Sequence, residues 1–243
     1  MKKLCLIFIS VLFVTGCNQE QVVTLKDCRN KVFSDALITA KVHSNGIEYA
    51  RLNGCFQGNK SNYEQIVKKF FLEDCSFFNL SEEEITSIIL ATENPFVRTK
   101  SEESICAEFM DQIIDKSATF DRSTDFEKEV SSVLMQEKYL NCDDDTFAKL
   151  ALLAAIYVDS ITYWNSNLEE ILKSSISTKS EEGGWDWDIF WYDLKEIAKA
   201  DGIGALFGSL LGPNGMLVTA VMESVKRTEE VAEEYYENKE NSN

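Results

Sequence analysis

The chain has a single histidine, His43, and only two prolines, Pro95 and Pro213, in 243 residues. One histidine leaves little room for a zinc site, or for a serine or cysteine nucleophile that uses imidazole as its base. Two prolines leave long stretches free to stay helical. Basic residues are short as well: 24 Lys and Arg stand against 41 Asp and Glu, a formal charge of −17. An acidic surface repels phosphate-rich polymers and anionic headgroups, which argues against nucleic-acid binding and against docking on a bilayer by charge. Sustained period-two alternation, the mark of half-buried strands, is missing. No two cysteines stand in a CxxC arrangement.

What is there begins with a leader. Lys2 and Lys3 precede an apolar run from Leu4 to Val14, long enough for a signal peptide and too short to span a bilayer. Val14-Thr15-Gly16-Cys17 follows, and it resembles the lipobox of bacterial lipoproteins. The resemblance implies cleavage of residues 1–16, lipidation of Cys17 (palmitate included), and anchoring in the cell envelope. Asn18 rather than Asp after the cysteine favours an outer-membrane address in a cell with two membranes. Residues 17–26 then form a lipidated tether that reaches at most ~30 Å. With Cys5 cleaved off, Cys28, Cys55, Cys75, Cys106 and Cys142 remain, an odd set that serves as structural bridges or buried thiols.

The body reads as all-α. Phe33, Leu37 and Ala40 share a face in a first helix, and Asn45 with Glu48 offers a second helix start. Ser61 with Glu64, Ser81 with Glu84, Thr99 with Glu102 and Thr124 with Glu127 repeat that capping signature ahead of apolar stripes. Leu150 to Val158 has no charge on any side, so the segment from Asp145 to Lys173 is expected at the centre, enclosed by the amphipathic helices. Residues 27–173 thus form a helical bundle and 174–184 a polar linker. Residues 185–243 form a Trp-rich helical hairpin packed on the bundle.

That hairpin contains the stretch around which the rest is organised. Gly202 to Met222 carries no charge, and Ala200, Gly204, Gly208 and Gly212 fall four apart, one smooth row on a helix. A helical glycine costs ~0.5–1 kcal/mol against alanine, so a row of them implies a close neighbouring backbone. Pro213-Asn214-Gly215 is expected to break the helix, with Met216 starting the next. The same run also permits a membrane-inserting reading, since tryptophans favour the interface and small residues four apart pack helices in bilayers.

Three near-motifs are better read structurally. Gly54 to Ser61 approaches a phosphate-binding loop, yet Asn59 replaces a required glycine and no strand precedes it, so no nucleotide is expected. Asn141, Asp143 and Asp145 begin like a calcium loop, but Thr146 and Leu152 stand where Gly and Glu are needed. His43 reads as a structural residue just ahead of the Asn45 helix start, so neither catalytic residue, metal nor cofactor is expected.

The segments Val42-His43-Ser44-Asn45-Gly46-Ile47-Glu48-Tyr49, Asp201-Gly202-Ile203-Gly204-Ala205 and Gly208-Ser209-Leu210-Leu211-Gly212-Pro213 resemble uncharacterised bacterial secreted proteins and lipoproteins with a C-terminal glycine-zipper region. That resemblance implies an architecture and no activity. The function expected is a non-catalytic, membrane-anchored envelope protein that binds another envelope protein or a cell-surface ligand. A membrane-perturbing or bacteriocin-like factor using the glycine-row hairpin is the alternative.

Overall fold

Helices start where a side chain can take up an orphaned amide. Thr24 accepts the Asp27 amide and the Asp27 carboxylate takes the Thr24 amide, a reciprocal cap that opens α1 (Leu25–Leu52). Asn62 caps α2 (Tyr63–Lys69), which widens into a π turn at Phe70–Asp74. Ser81 and Glu84 form the expected reciprocal cap on α3 (Glu82–Thr92). Ser104 opens α4 (Ile105–Ser117) and Asp125 opens α5 (Phe126–Leu134), followed by the single turn α6 (Glu137–Leu140). Three long helices complete the chain: α7 (Asp144–Ser175), α8 (Trp187–Gly208) and α9 (Gly212–Glu240). This computed structural model describes residues 24–56, 62–94, 104–121, 123–175 and 187–240, and none of these is in a strand.

The fold is the all-α bundle that the periodicity predicts. Every residue from Leu150 to Ile161 of α7 is buried, as a helix apolar on all sides requires. α1, α4, α5, α8 and α9 pack around it. Phe126, Val130, Val133 and Leu134 turn the buried stripe of α5 inward, and Val221, Val225, Thr228 and Ala232 do the same for α9. Each large apolar side chain so enclosed contributes ~1.5–3 kcal/mol relative to exposure.

Several boundaries differ from the sequence reading. α1 runs unbroken through Asn45, because Val42, His43, Gly46 and Ile47 continue its buried face while Asn45 points outward. The Asn45 and Glu48 pair is a local signal that packing overrides. α1 already includes Leu25 and Lys26, so the expected tether is shorter than residues 17–26. Thr124 does not cap α5; its hydroxyl accepts the Asp121 amide, and Asp125 takes the Lys128 amide instead. Ser61, Thr99 and Glu102 lie outside the described residues, as do the leader, Cys17 and residues 176–184 of the expected linker, whose first two residues instead end α7.

The hairpin turn is also displaced. A tight turn at Ser209–Leu211 ends α8, and Gly212, with φ +83°, starts α9. Pro213 therefore sits in the first turn of α9, where its missing N–H removes no helical bond. Gly215 is inside α9 and not in the turn. A proline that opens a helix and one that closes the previous helix look alike in sequence.

Candidate functional site

α1, α7 and α8 each bring one ionisable side chain to the same buried point. His43 comes from the inner face of α1, Asp159 from the end of the fully buried stretch of α7, and Asp201 from the middle of α8. His43 Nδ1 lies 3.4 Å from Asp159 Oδ2, and Nε2 lies 3.2 Å from Asp201 Oδ2. The second contact is close enough for an ion pair but is not aligned as a hydrogen bond. The side chains of His43 and Asp201 are 0% exposed and that of Asp159 is 2% exposed.

Each aspartate has further partners. Lys41 Nζ reaches Asp159 Oδ1 at 2.6 Å, and the Ser44 amide donates to Asp159 Oδ2 at 3.0 Å. The hydroxyls of Ser160 and Ser224 both donate to Asp201 Oδ2, the latter at 3.0 Å. Ser160 follows Asp159 on α7 and Ser224 belongs to α9, so four helices meet in one polar network. The network runs from Lys41, whose side chain is 63% exposed, inward to the hairpin. Where Lys41 meets Asp159 there is a surface hollow of about 320 Å³, lined also by Leu37, Phe126 and Glu127.

The geometry favours a protonated ring. A neutral imidazole has one N–H, so its other nitrogen would turn a lone pair toward a carboxylate. The imidazolium turns an N–H toward each carboxylate. Burial alone would lower the His43 pKa, but the charge of Asp201, the close approach of both carboxylates to the ring nitrogens and the charge of Asp159 outweigh it, raising the value to about 9. For Asp159 burial pushes the other way, upward, and His43 with Lys41 overrides it, holding the carboxyl below the usual range.

Both ring nitrogens face carboxylates, and the two serines donate to Asp201 and not to the ring, so neither is poised as a nucleophile with His43 as base. A doubly protonated ring also has no lone pair for a metal. Among the described residues no group of three or more His, Cys, Asp or Glu side chains is placed to hold a metal ion.

The residues singled out in the sequence fall in two groups. Gly204 and Gly208 face α9: a Cβ on Gly204 would come within 2.7 Å of the Thr219 carbonyl, and one on Gly208 within 2.4 Å of the Gly215 carbonyl. Thr219 Oγ1 donates in the same crossing, lying 2.6 Å from the Gly204 carbonyl and 2.7 Å from that of Gly215. Ala200 is half-buried at one end, and Gly212 leaves the row, since a Cβ there would meet nothing within 4 Å. Its glycine serves the backbone angle instead. Cys55, Cys75 and Cys106 are buried, Cys28 and Cys142 half-buried, and Cys106 and Cys142 are thiols that burial pushes up in pKa. Asp143 caps α7 by accepting the Thr146 amide at 2.9 Å, the capping role expected of that acidic run.

Asp159, Ser160 and Ser224 were not visible as site residues in the sequence, and Asp201 was visible only as the boundary of an uncharged run. The available signal was one carboxylate at the end of a run as apolar as Leu150 to Val158, in a chain with one histidine. A buried carboxylate needs a buried cation. The structure brings segments 42–49 and 201–213 together through His43 and Asp201, and Gly46 lets α1 approach Phe70 and Val221. No family model, curated protein or solved structure matches the chain.

Proposed function

We propose that this is a lipid-anchored extracytoplasmic protein, attached through Cys17, whose helical bundle is a non-catalytic interaction module in the cell envelope. The observation that carries the reading is the pairing of Asp159 and Asp201 with one imidazolium. Two stretches, Asp144–Ile171 and Trp191–Glu234, are long and apolar enough to cross a bilayer, and 72% of each apolar window is buried within the bundle. Each stretch contains one of these carboxylates. Entry into hydrocarbon would strip both from His43, at ~2.5–3.5 kcal/mol for an aspartate at the helix centre on insertion scales. The bundle therefore favours a folded body beside the membrane over a hairpin inside it. The glycine faces are likewise taken up by the hairpin's own second helix. The acidic balance suits a basic partner surface or a neutral ligand.

A second reading, a membrane-perturbing factor, draws on the length and apolarity of the same two stretches. Dye release separates the two. The Cys17→Ser chain is expected to lose incorporation of a palmitate analogue, to elute as one species without detergent and to release no dye from neutral vesicles. Dye release by that protein, abolished by Gly208→Leu, would replace the interaction reading with the membrane-perturbing one. Retained lipid labelling would remove the anchor at Cys17.

A further inference from the structure

We propose that His43 is a proton-operated latch for the α8–α9 hairpin: protonated, it ties Asp201 to α1 and α7, and loss of the proton loosens the hairpin from the bundle. The asymmetry of the two aspartates carries the argument. Asp159 has a second cation, Lys41, at 2.6 Å on its outer side. Among the described residues Asp201 faces one cation, His43; its other partners, Ser160 and Ser224, are neutral hydroxyls. When the ring loses its proton, Asp159 keeps a counter-charge and Asp201 is left as a buried carboxylate with none. Breaking a buried pair by removing one partner is far more damaging than the pair is stabilising. The strain therefore falls on α8, at the point where the hairpin joins α1 and α7.

Among the described residues, the surroundings supply no replacement cation. On α1 Lys41 is committed to Asp159, and Arg51 to Glu48. On α7 Tyr157 carries a phenol that burial pushes up to about 12, with the Asp201 charge adding to the effect, so it stays neutral through the histidine transition. Asp125 and Glu127, which line the hollow at Lys41, add negative charge from the α5 side. α4 presents Met110, which a Cβ on Gly202 would meet, and α9 presents the Ser224 hydroxyl. Within the hairpin, α8 and α9 remain joined by the Gly204, Gly208 and Thr219 contacts, which do not titrate. The unit that loosens is the hairpin as a whole.

One histidine gives one imidazole signal, so the full chain labelled with carbon-13 histidine reports His43 without assignment. The ring is expected to titrate with a midpoint near 9. The Asp201→Asn variant lowers that midpoint by about a unit or more. In the unaltered protein, amide exchange corrected for its intrinsic pH dependence is expected to rise about tenfold in α8 and α9 across the same transition, with α5 unchanged. A midpoint near that of a free imidazole, about 6.5, would overturn the proposal. So would hairpin protection that stays constant while the ring titrates. Both readouts stand on the unaltered protein if Asp201→Asn does not fold.

Discussion

His43 is buried completely, and a charge on its ring is tolerated there because two carboxylates replace the water it loses. His43→Leu would leave Asp159 and Asp201 buried without the cation they share, and a loss of ~3–5 kcal/mol is expected from urea unfolding at neutral pH. Adding Asp159→Asn and Asp201→Asn to that variant should recover part of the loss, because the buried groups are then neutral and Lys41 is exposed enough to be solvated. A triple variant no more stable than His43→Leu would mean that ionic pairing is not what holds this point. The sequence identified His43 as structural and missed what it is structural for. Its partner Asp159 lies 116 positions away, and no local periodicity encodes a pairing across that distance. The serines on Asp201 are invisible for the same reason, being small polar residues on otherwise apolar faces.

Among the helices, the glycines divide by what they are for. At Gly208 the constraint is space, since an added Cβ would meet the Gly215 backbone at 2.4 Å. At Gly212 the constraint is conformation, a φ of +83° with nothing within 4 Å of an added Cβ. Gly208→Ala should cost ~1–3 kcal/mol by overpacking, and Gly212→Ala a similar ~1–3 kcal/mol by backbone strain. The two are distinguishable by coupling. Gly208→Ala should be non-additive with Thr219→Ala, which removes the Oγ1 that an added Cβ would meet at 2.4 Å, while Gly212→Ala should be additive with it in thermal unfolding. Additivity in both cases would contradict the close crossing. Spacing by fours singled out Gly204 and Gly208, whose added Cβ atoms would meet α9, and apolarity on all sides located the central helix. Helix ends were less legible: Asn45 and Thr124 carry capping chemistry, but a continuous buried face and a neighbouring aspartate took precedence.

For the whole molecule, stability against pH follows from the two shifted groups. His43, raised to about 9 from an ordinary value of about 6.5, contributes stability that is fully present below about 6.5 and lost as pH rises through 9. Asp159, held below its ordinary value, contributes stability that is present above about 3.9 and lost as pH falls further. The network is therefore strongest between about pH 4 and 6.5. With a formal charge of −17, general self-repulsion also weakens the fold toward alkaline pH, so the wild-type curve alone does not isolate the histidine. The most direct measurement is the difference in unfolding free energy between the wild type and His43→Gln, followed from pH 6 to 10, where self-repulsion largely cancels. A gap that is widest at pH 6 and shrinks by on the order of 3 kcal/mol as pH passes 9 is the predicted result. A gap that stays constant across that range would contradict a charged histidine at the centre of this bundle.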